Sequence, residues 1–407
     1  MRTAAALKRE SRPTGPGPLD PLAYELAARH PQPRAAIRAA WDRLLDTPRF
    51  PLDAGSIGEI PFIASHALID LIDRKATGLV DMLGPRLGRR DDPAWPRAMA
   101  ADVLSADLAI VHAPETERGW DLRWVELQTF TSLVSTIYTL HLAAGEIWPE
   151  LNDLAFWSGA PRGAGWREAA RSWMAPQPGS LLLENDPWSQ PTRPDFEAAR
   201  RWFDLEVTDP KSLRLQSGRL EHCDRNGKWR PVPHIANRLI LHEAPGRAEL
   251  EHLLSSAEIG WHSHPAWYYR LDKGVMPDLP LPPIERCARG PNWRDLLLPP
   301  EALVAKRCHS HSGAGVRLAM NAASLDALEE PQDWIVQPRF DPMPVCRARD
   351  GAELYAEIRC VIALPANGDP PWLACRLARM SRTPMLSTAR WSGAPGEGAV
   401  PVYAPPE

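Results

Sequence analysis

The chain has 407 residues, of which 44% are hydrophobic and 24% are charged, and its formal net charge is −4. Because 47 basic residues nearly balance 51 acidic ones, the chain offers no polybasic field to nucleic acid or to an anionic membrane. The sequence has no signal-peptide pattern and no apolar run of about 20 residues, so we expect a cytoplasmic protein that binds neither nucleic acid nor membrane. The length predicts two or three domains with sizeable cores.

Lysine is rare in this sequence. Of the 47 basic residues only six are lysines, namely Lys8, Lys75, Lys211, Lys228, Lys273 and Lys306. A lysine inside an ordered segment can therefore mark a place where a compact charge is needed that the wide guanidinium group of arginine cannot supply. Chance survival of a few lysines is the alternative. The six cysteines form no CxxC pair, which is typical of reduced thiols.

The first half of the chain is predicted to be mainly helical. Residues 1–20 are rich in Pro and Gly and predict a disordered leader. Apolar residues recur at helical spacing from Leu22 to Leu83, which predicts helices interrupted by a turn. DLAIVHAP and WDLRWVELQ are typical of the two strands of a hairpin, and SLVSTIYTLHLAAGEIW predicts a helix after it.

The second half of the chain mixes strands and helices. A strand at SLLLEND, a helix at PDFEAARRWF and a following strand predict a small open α/β domain. LRLQSGRLEHCDRNGKWRPV predicts a hairpin with its turn at Asn226 and Gly227. Further strands are predicted at ALVAKRC, DWIVQPRF, LYAEIRCVIAL and PPWLACRLAR, with a short helix near NAASLDALEE.

The segment ALVAKRCHSHSGAGV has the chemistry of a polyphosphate site. An apolar strand ends in Lys306, and Gly313 and Gly315 follow in a loop of small residues. Glycines let backbone N–H groups approach phosphate oxygens closely, and the lysine supplies a cation. The segment is not a Walker loop, and a plain β-turn is the alternative interpretation.

Three later strands carry polar residues that suit a nucleotide. The apolar face and the amide of Gln337 in DWIVQPRF are suited to an adenine pocket. The next two strands project Glu357, Arg359, Arg376 and Arg379. Buried arginines are costly unless they meet anions, which indicates a phosphate or carboxylate site. A structural ion-pair network is the alternative.

In the order of these segments the sequence resembles the ATP-grasp superfamily, and in particular its circularly permuted branch that includes glutathionylspermidine synthase. HPAWYYRLDKGVMPDL is similar to the segment that holds the first phosphate lysine, which implies this role for Lys273. VAKRCHSHSGAGV resembles the second lysine and its lid, which implies that Lys306 binds phosphate and that Cys308 to Gly315 close over ATP. DWIVQPRF resembles the hinge strand, with Gln337 at its polar position.

The resemblance also implies a Mg²⁺ site upstream. Asp107 in one strand of the hairpin, with Glu126 and Gln128 in the other, matches the family's oxygen ligands, and Mg²⁺ prefers such ligands. Thr131 and Ser132 match substrate-side hydroxyls. The resemblance implies a substrate contact for Arg238. The chain departs from the family at Gln128, where Asn is usual, and at Ser105, where Arg is usual.

The resemblance implies an α/β (α+β) fold of the permuted ATP-grasp type, with an N-terminal helical region and a small inserted α/β domain. The expected units are the leader (1–20), the helical region (21–95), an ATP-grasp part with the Mg²⁺ site (96–160), the small α/β domain (161–255) and an ATP-grasp part with the lysines, lid and hinge (256–407).

The function implied is an ATP- and Mg²⁺-dependent ligase that joins a small-molecule or peptide carboxylate to an amine through an acyl phosphate. Arg359, Arg376 or Arg379 then stabilises the charge on the transferred phosphoryl group. Two alternatives belong to other classes: a nucleotide-binding module without catalysis, and a metal-binding protein that uses Cys308, His309 and His311.

Overall fold

The computed structural model describes residues 17–46, 52–88, 100–159, 165–310, 313, 315–318, 320–365, 368–385 and 392–406. The α-helices in this part of the chain are α1 (Pro21–Arg29), α2 (Pro33–Leu44), α3 (His66–Leu83), α4 (Val134–Ile147), α5 (Trp166–Met174), α6 (Arg193–Phe203), α7 (Arg247–Ser256), α8 (Trp267–Arg270) and α9 (Ala322–Asp326). Among the described helices, none is long and apolar enough to cross a membrane.

The strands form four sheets. Over the same residues they are β1 (Phe62–Ile63), β2 (Val103–His112), β3 (Trp120–Gln128), β4 (Leu181–Leu183), β5 (Glu206–Thr208), β6 (Leu213–Gln216), β7 (Arg219–Cys223), β8 (Trp229–Pro231), β9 (His234–Asn237), β10 (Gly260–His262), β11 (Ala288–Arg289), β12 (Leu303–Arg307), β13 (Val316–Arg317), β14 (Trp334–Pro338), β15 (Pro344–Arg347), β16 (Glu353–Ala363), β17 (Trp372–Ser381) and β18 (Gly398–Tyr403).

The central sheet has the strand order β1–β18–β17–β16–β2–β3, and β15 also pairs with β16. Apart from the parallel pair of β1 and β18, neighbouring strands are antiparallel. Since side chains alternate between the two faces of a strand, Leu108 and Ile358 pack in a core with α3. Val361 and Leu377 pack on the opposite face, in a core with α4. The long strands are thus held from both faces.

A second sheet is wholly parallel, with the order β10–β9–β4–β5. From β4 the chain moves to β5 on one side and then returns to β9 and β10 on the other. The strand order therefore reverses between β4 and β9. In open α/β sheets the carboxyl edge at such a reversal is where ligands bind. We call this place the switch point.

Two small antiparallel sheets complete the fold. One has the order β11–β14–β12–β13, and its Ala305 and Val336 pack in a core with Trp293 and Leu325. Lys306 is adjacent to Ala305 and therefore points to the opposite face. The other sheet, β6–β7–β8, is a polar meander.

This architecture confirms the predicted α/β class, while the circularly permuted ATP-grasp arrangement and the division into units stay predictions. The helices α1, α2 and α3 occupy the N-terminal segment in which helices were expected, and β2 pairs with β3 as the predicted hairpin. The small α/β domain was expected to end at residue 255, whereas β10 at Gly260–His262 still belongs to its sheet. Residues 1–16 of the expected leader lie outside the described residues.

One hairpin was predicted where the structure has three strands. The prediction placed a single turn at Asn226 and Gly227, but a second turn lies between β6 and β7. Its central residues Ser217 and Gly218 have φ angles of 51° and 75°. Two consecutive positive φ angles suit a tight hairpin turn, and the Ser–Gly pair was the sequence signal for it.

Candidate functional site

A cleft of about 1170 Å³ lies between the α4 face of the central sheet, the small β11–β14–β12–β13 sheet and the switch point of the parallel sheet. Small-molecule pockets usually enclose roughly 300–1,000 Å³, so this cleft has room for more than one ligand. Most of the residues singled out in the sequence line it: Glu126, Gln128, Ser132, Arg238, Lys273, Lys306, Gly313, Gln337, Arg359 and Arg379.

The lysine end of the cleft consists of Lys273, Lys306 and Gln337. Lys306 is buried on β12, and its Nζ donates to the carbonyl oxygen of Val125 at 2.8 Å. Lys273 begins a short 3-10 helix, Lys273–Asp278. Its Nζ lies 2.9 Å from Glu126 Oε1 and also donates to Ser310. Two of the six lysines of the chain therefore contact consecutive residues of β3, Lys306 the Val125 carbonyl and Lys273 the Glu126 carboxylate.

Burial and neighbouring charges act on Lys306 in opposite directions. Desolvation lowers the pKa of Lys306 to about 8, although the negative charge of Glu126 favours the charged form. The ammonium group is thus held in the cleft at a cost. An anion that enters the cleft can relieve this cost by pairing with it.

Gln337 has an unused acceptor. The residue is 2% exposed on β14, and its Oε1 has no hydrogen-bond partner. Gln337 lies opposite Val304 in the ladder between β12 and β14, on the face that carries Lys306. A buried polar atom without a partner costs free energy. The atom can be satisfied by a donor on a ligand, such as an amino group on a heterocyclic base.

A β-bulge places Glu126 on the cleft face. Asp107 pairs with Glu126 and the adjacent Leu108 pairs with Trp124, so Val125 is an extra residue in β3. Trp124 packs in the core with α3, whereas Glu126 and Gln128 line the cleft. Bulges re-aim side chains in this way and often occur beside functional sites. The same bulge presents the Val125 carbonyl to Lys306.

The arginine floor consists of Asp107, Glu357, Arg359 and Arg379. The Nε and Nη2 atoms of Arg359 donate to the two oxygens of Asp107 at 2.8 and 2.7 Å. Arg379 donates to Asp107 at 2.6 Å and also contacts Glu357. Although burial alone raises the pKa of Asp107, the charges and hydrogen bonds of Arg359 and Arg379 hold this pKa well below its usual range.

Asp107 and Arg376 do not line the cleft, although both were predicted as site residues. Asp107 was predicted as a metal ligand, but it is 2% exposed and both of its oxygens accept from arginines, so it does not line the cleft. Arg376 was grouped with Arg359 and Arg379, but it is three residues from Arg379 on β17 and points to the opposite face. There it donates to Asp73 at 2.8 Å.

The switch-point end of the cleft carries Glu184 after β4 and Arg238 after β9. Arg238 Nη1 donates to the buried Asp195 at 3.0 Å, while its Nε has no hydrogen-bond partner. Asp195 in turn accepts from the backbone N–H and hydroxyl of Thr136 near the start of α4. Burial raises the pKa of Glu184 to about 7, against the opposing charge of Arg238.

The two predicted hydroxyl residues play different parts. Ser132 lines the cleft and accepts a hydrogen bond from Arg359 Nη1 at 2.9 Å. Thr131 is 1% exposed and turns away from the cleft, where its Oγ1 lies 2.8 Å from Nε2 of His262. Ser132 is therefore in contact with the arginine floor, and Thr131 anchors the segment that carries it.

The predicted lid is described only in part, because His311, Ser312 and Ala314 lie outside the described residues. Gly313 lines the cleft, and Gly315 has a φ of 73° with no room for a side chain beside Arg307. Burial raises the pKa of Cys308 to about 11. The backbone and imidazole of His309 both bond to Asp272. Cys308 thus stays a thiol, and His309 has an acidic partner.

No protein-family model matches this chain, and no curated protein matches it. Among solved structures, the chain is similar to the apo form of a glutathione synthetase-like effector, GSS30, from Globodera pallida, at a TM-score of 0.43 and 9% sequence identity. The similarity covers 96% of this chain and 89% of that chain. At this TM-score the likeness says nothing about function. The residues of the cleft are the basis for any functional conclusion.

Three cleft residues were not assigned a role from the sequence. Glu357 lies on the same face as Arg359 and lines the cleft. Glu184 and Asp195 lie at the switch-point end. Glu184 directly follows the apolar run of β4, so its position at the end of a predicted strand was a usable signal. Asp195 lies in the first turn of α6, where an acidic residue has an ordinary helix-stabilising explanation.

The cleft is divided chemically. One end holds two ammonium groups and an unpartnered amide oxygen, the middle has paired arginines, and the other end has a carboxyl group poised to gain or lose a proton. Among the described residues, no group of three or more His, Cys, Asp or Glu side chains could by itself hold a metal ion. This arrangement is suited to an anion with several negative charges beside a second, smaller ligand.

Proposed function

We propose that the protein is an ATP-dependent ligase that joins a carboxylate to an amine through an acyl phosphate. The observation that carries the proposal is that Lys273, which pairs with Glu126, and Lys306, which bonds to the adjacent Val125 carbonyl, lie at one end of the cleft next to the arginine floor. In a chain with six lysines, two are buried where a polyphosphate can replace their present partners. We also propose that the fold is a circularly permuted ATP-grasp.

Lys273 and Lys306 bind the phosphates of ATP in this proposal. Both ammonium groups now pair with groups that a ligand can displace: the Val125 carbonyl, Ser310 and the partly exposed Glu126. Phosphate oxygens accept charge-assisted hydrogen bonds that are stronger than those to a neutral carbonyl. Gln337 Oε1, which has no partner, accepts from the adenine amino group.

The cleft face also fits Mg²⁺. Glu126, Gln128 and Glu357 present hard oxygen donors to the cleft, and Mg²⁺ is usually held by one or two carboxylates together with substrate phosphates and water. We therefore assign Glu126 and Glu357 as ligands, with Gln128 beside them, and we assign Asp107 to the orientation of the two arginines. When bound, Mg²⁺ neutralises negative charge on the phosphates.

Arg359 and Ser132 bind the acid substrate, and Arg379 stabilises the phosphoryl group as it moves. A carboxylate oxygen attacks the γ-phosphorus, the bond from this phosphorus to the β–γ bridging oxygen breaks, and ADP leaves. The amine nitrogen then attacks the acyl carbon, the carbon–oxygen bond to phosphate breaks, and inorganic phosphate leaves. Fixed guanidinium groups favour the first step because they need no reorientation as charge moves.

Glu184 receives the amine at the switch-point end. A carboxyl group with a pKa near 7 binds an ammonium ion once it is ionised. It can then accept one proton from the ammonium ion, which exposes the nitrogen lone pair, pass this proton to solvent, and accept the second proton that the nitrogen loses after attack. Arg238, held by Asp195, forms the opposite wall. Because ionised Glu184 is the binding form, amine affinity increases as pH rises through 7.

The test is titration calorimetry with ATP and Mg²⁺, followed by an assay of ADP release with mixtures of acids and amines. We expect micromolar to millimolar ATP binding and ADP release that needs Mg²⁺, an acid and an amine together. ATP binding without stimulated ADP release would support a nucleotide-binding module instead. Absence of ATP binding, together with tight stoichiometric Zn²⁺ binding, would support the metal-binding alternative.

A further inference from the structure

The side of the cleft beyond the arginine floor is apolar. On the central sheet Leu377 lies directly opposite Arg359, and Ala399 lies directly opposite Arg379. Side chains that face each other across neighbouring antiparallel strands are about 5 Å apart. The charged surface therefore changes to an apolar one within a single strand spacing, on the side toward β18.

Other elements extend this apolar surface. We define the apolar end of the cleft by the lining residues Leu52, Ser56, Leu140, Leu377, Pro384, Met385 and Ala399. Among these described residues Ser56 has the only polar side chain. A charged group placed there would lose its hydration without gaining an ionic partner from these side chains.

A small separate cavity borders the apolar end. It measures about 10 Å³ and shares Leu140 and Ala399 with the cleft. Its remaining lining includes Ile37, Trp148 and Leu151. Leu140 on α4 thus separates the apolar end from further apolar space.

We propose that the acid substrate carries an apolar group next to its carboxylate, and that this group packs against Leu377, Leu140 and Ala399. This inference rests on the proposed function, since it takes Arg359 and Ser132 as the carboxylate contacts. The carboxylate and the apolar group are then held by neighbouring residues of the same sheet face. Aliphatic and aromatic acids, and apolar N-acylated amino acids, belong to this substrate class. Dicarboxylic acids do not.

The experiment uses hydroxylamine in place of the amine, because it captures an acyl phosphate as a hydroxamate and releases phosphate. Acids are compared in pairs that differ in one terminal group: hexanoate with adipate, and N-acetyl-leucine with N-acetyl-glutamate. We expect kcat/KM to be at least tenfold higher for the apolar member of each pair that reacts. Equal or better use of the charged member would overturn the inference.

The remaining outcomes separate this inference from the proposed function. If the protein binds ATP and Mg²⁺ but forms hydroxamate with no apolar acid, the inference is wrong and the nucleotide site stands. If the protein does not bind ATP, the proposed function is wrong, and the inference falls with it.

Two variants test the location of the apolar group. Leu140→Ala vacates the volume of the leucine side chain and opens the cleft to the small cavity, so the ratio of octanoate to hexanoate use should increase about fivefold. Ile137→Ala is the matched control, because Ile137 is equally buried on α4 but lines neither space. Met385→Glu, at a partly exposed position, should increase the use of 6-aminohexanoate relative to hexanoate. Unchanged ratios in folded Leu140→Ala and Met385→Glu would place the acid elsewhere.

Discussion

The arginine floor and the lysine end hold positive charge in opposite ways. Arg359 and Arg379 lie on strands of eleven and ten residues, and buried carboxylates occupy their guanidinium groups. Lys306 lies on a strand of five residues, and its partner is a backbone carbonyl. The first region keeps its charges in place whether or not a ligand is bound. The second can exchange its contacts for those of a ligand, and a site that binds and then turns over a polyanion needs both.

The largest effect is expected when the floor is broken. Asp107→Asn leaves the buried Arg359 and the partly buried Arg379 short of a counter-charge, so the free energy of unfolding should fall by about 3–5 kcal/mol. Urea denaturation measures this loss. Gln128→Ala, on the cleft face of the same sheet, is the control and should change stability by less than about 1 kcal/mol. A floor that is not stabilising would show equal stabilities for the two variants.

The stability that Asp107 contributes also depends on pH. Its folded-state pKa lies below the usual range, so the contribution is present above pH 4 and is lost as pH falls further. The free energy of unfolding of Asp107→Asn should therefore decrease less steeply than that of the wild type as pH falls below 4.

A variant of Glu126 tests the lysine end of the cleft at the position proposed for the reacting phosphates. Glu126→Ala should lower turnover at least about a hundredfold, while ATP affinity changes less than about threefold, because this carboxylate is proposed to act through Mg²⁺. Calorimetry and ADP release on the same preparation provide the two values. Since Glu126 is partly exposed, the unfolding midpoint should stay near that of the wild type. Turnover at the wild-type level would place the metal elsewhere.

Variants of Lys306 test whether the lysine end of the cleft binds the nucleotide. Lys306→Ala should weaken ATP binding at least tenfold, or about 1.4 kcal/mol, because a charge-assisted phosphate contact is lost. Lys306→Arg should weaken it as well, since the planar guanidinium does not fit the place of a compact ammonium group. Lys75→Ala removes a lysine that pairs with Glu285 outside the cleft, and it should leave ATP affinity unchanged. Equal affinity in Lys306→Ala and wild type would contradict the assignment.

The smallest expected effect is a pH dependence. The pKa of Lys306 without ligand is about 8, and its charged form binds phosphate, so ATP affinity should fall severalfold between pH 7 and pH 9. The decrease should be absent in Lys306→Gln. Calorimetric titrations at pH 7, 8 and 9 in buffers of one ionic strength measure it, and an identical slope in the variant would assign the titration to another group.

Parts of the site were predictable from the sequence for physical reasons. The order of strand, lysine and glycine loop indicated Lys306, the family resemblance implied Lys273, and the scarcity of lysine supported both. Strand alternation together with the hairpin placed Asp107 near Glu126, and the two residues are paired in the structure. The α/β class followed from the order of apolar strands and amphipathic helices. These features are local, or they depend on pairing between neighbouring segments.

Other parts depended on contacts that no local pattern contains. Arg376 and Arg379 have similar neighbours in the sequence. They face opposite sides of the sheet because they are an odd number of residues apart on β17. That Asp107 would be enclosed by two arginines depended on the pairing of β2 with β16, segments about 250 residues apart in the chain. Glu184 and Arg238 meet because the parallel sheet reverses its order between β4 and β9, which the sequence order alone does not reveal.

The bulge at Val125 has a consequence for how such a cleft can arise or be lost. Regular alternation through β3 would put Glu126 on the face of Trp124, in the core with α3, where an unpaired carboxylate is costly. The additional residue lets Trp124 and Glu126 face opposite sides of the sheet although they are two positions apart, and it presents a carbonyl to Lys306. In a related chain that lacks Val125, Trp124 and Glu126 would be adjacent, so alternation would keep Glu126 on the cleft face while the carbonyl contact of Lys306 would be lost. A change in the length of β3 is therefore expected to alter the contact of Lys306 before it alters the face of the carboxylate.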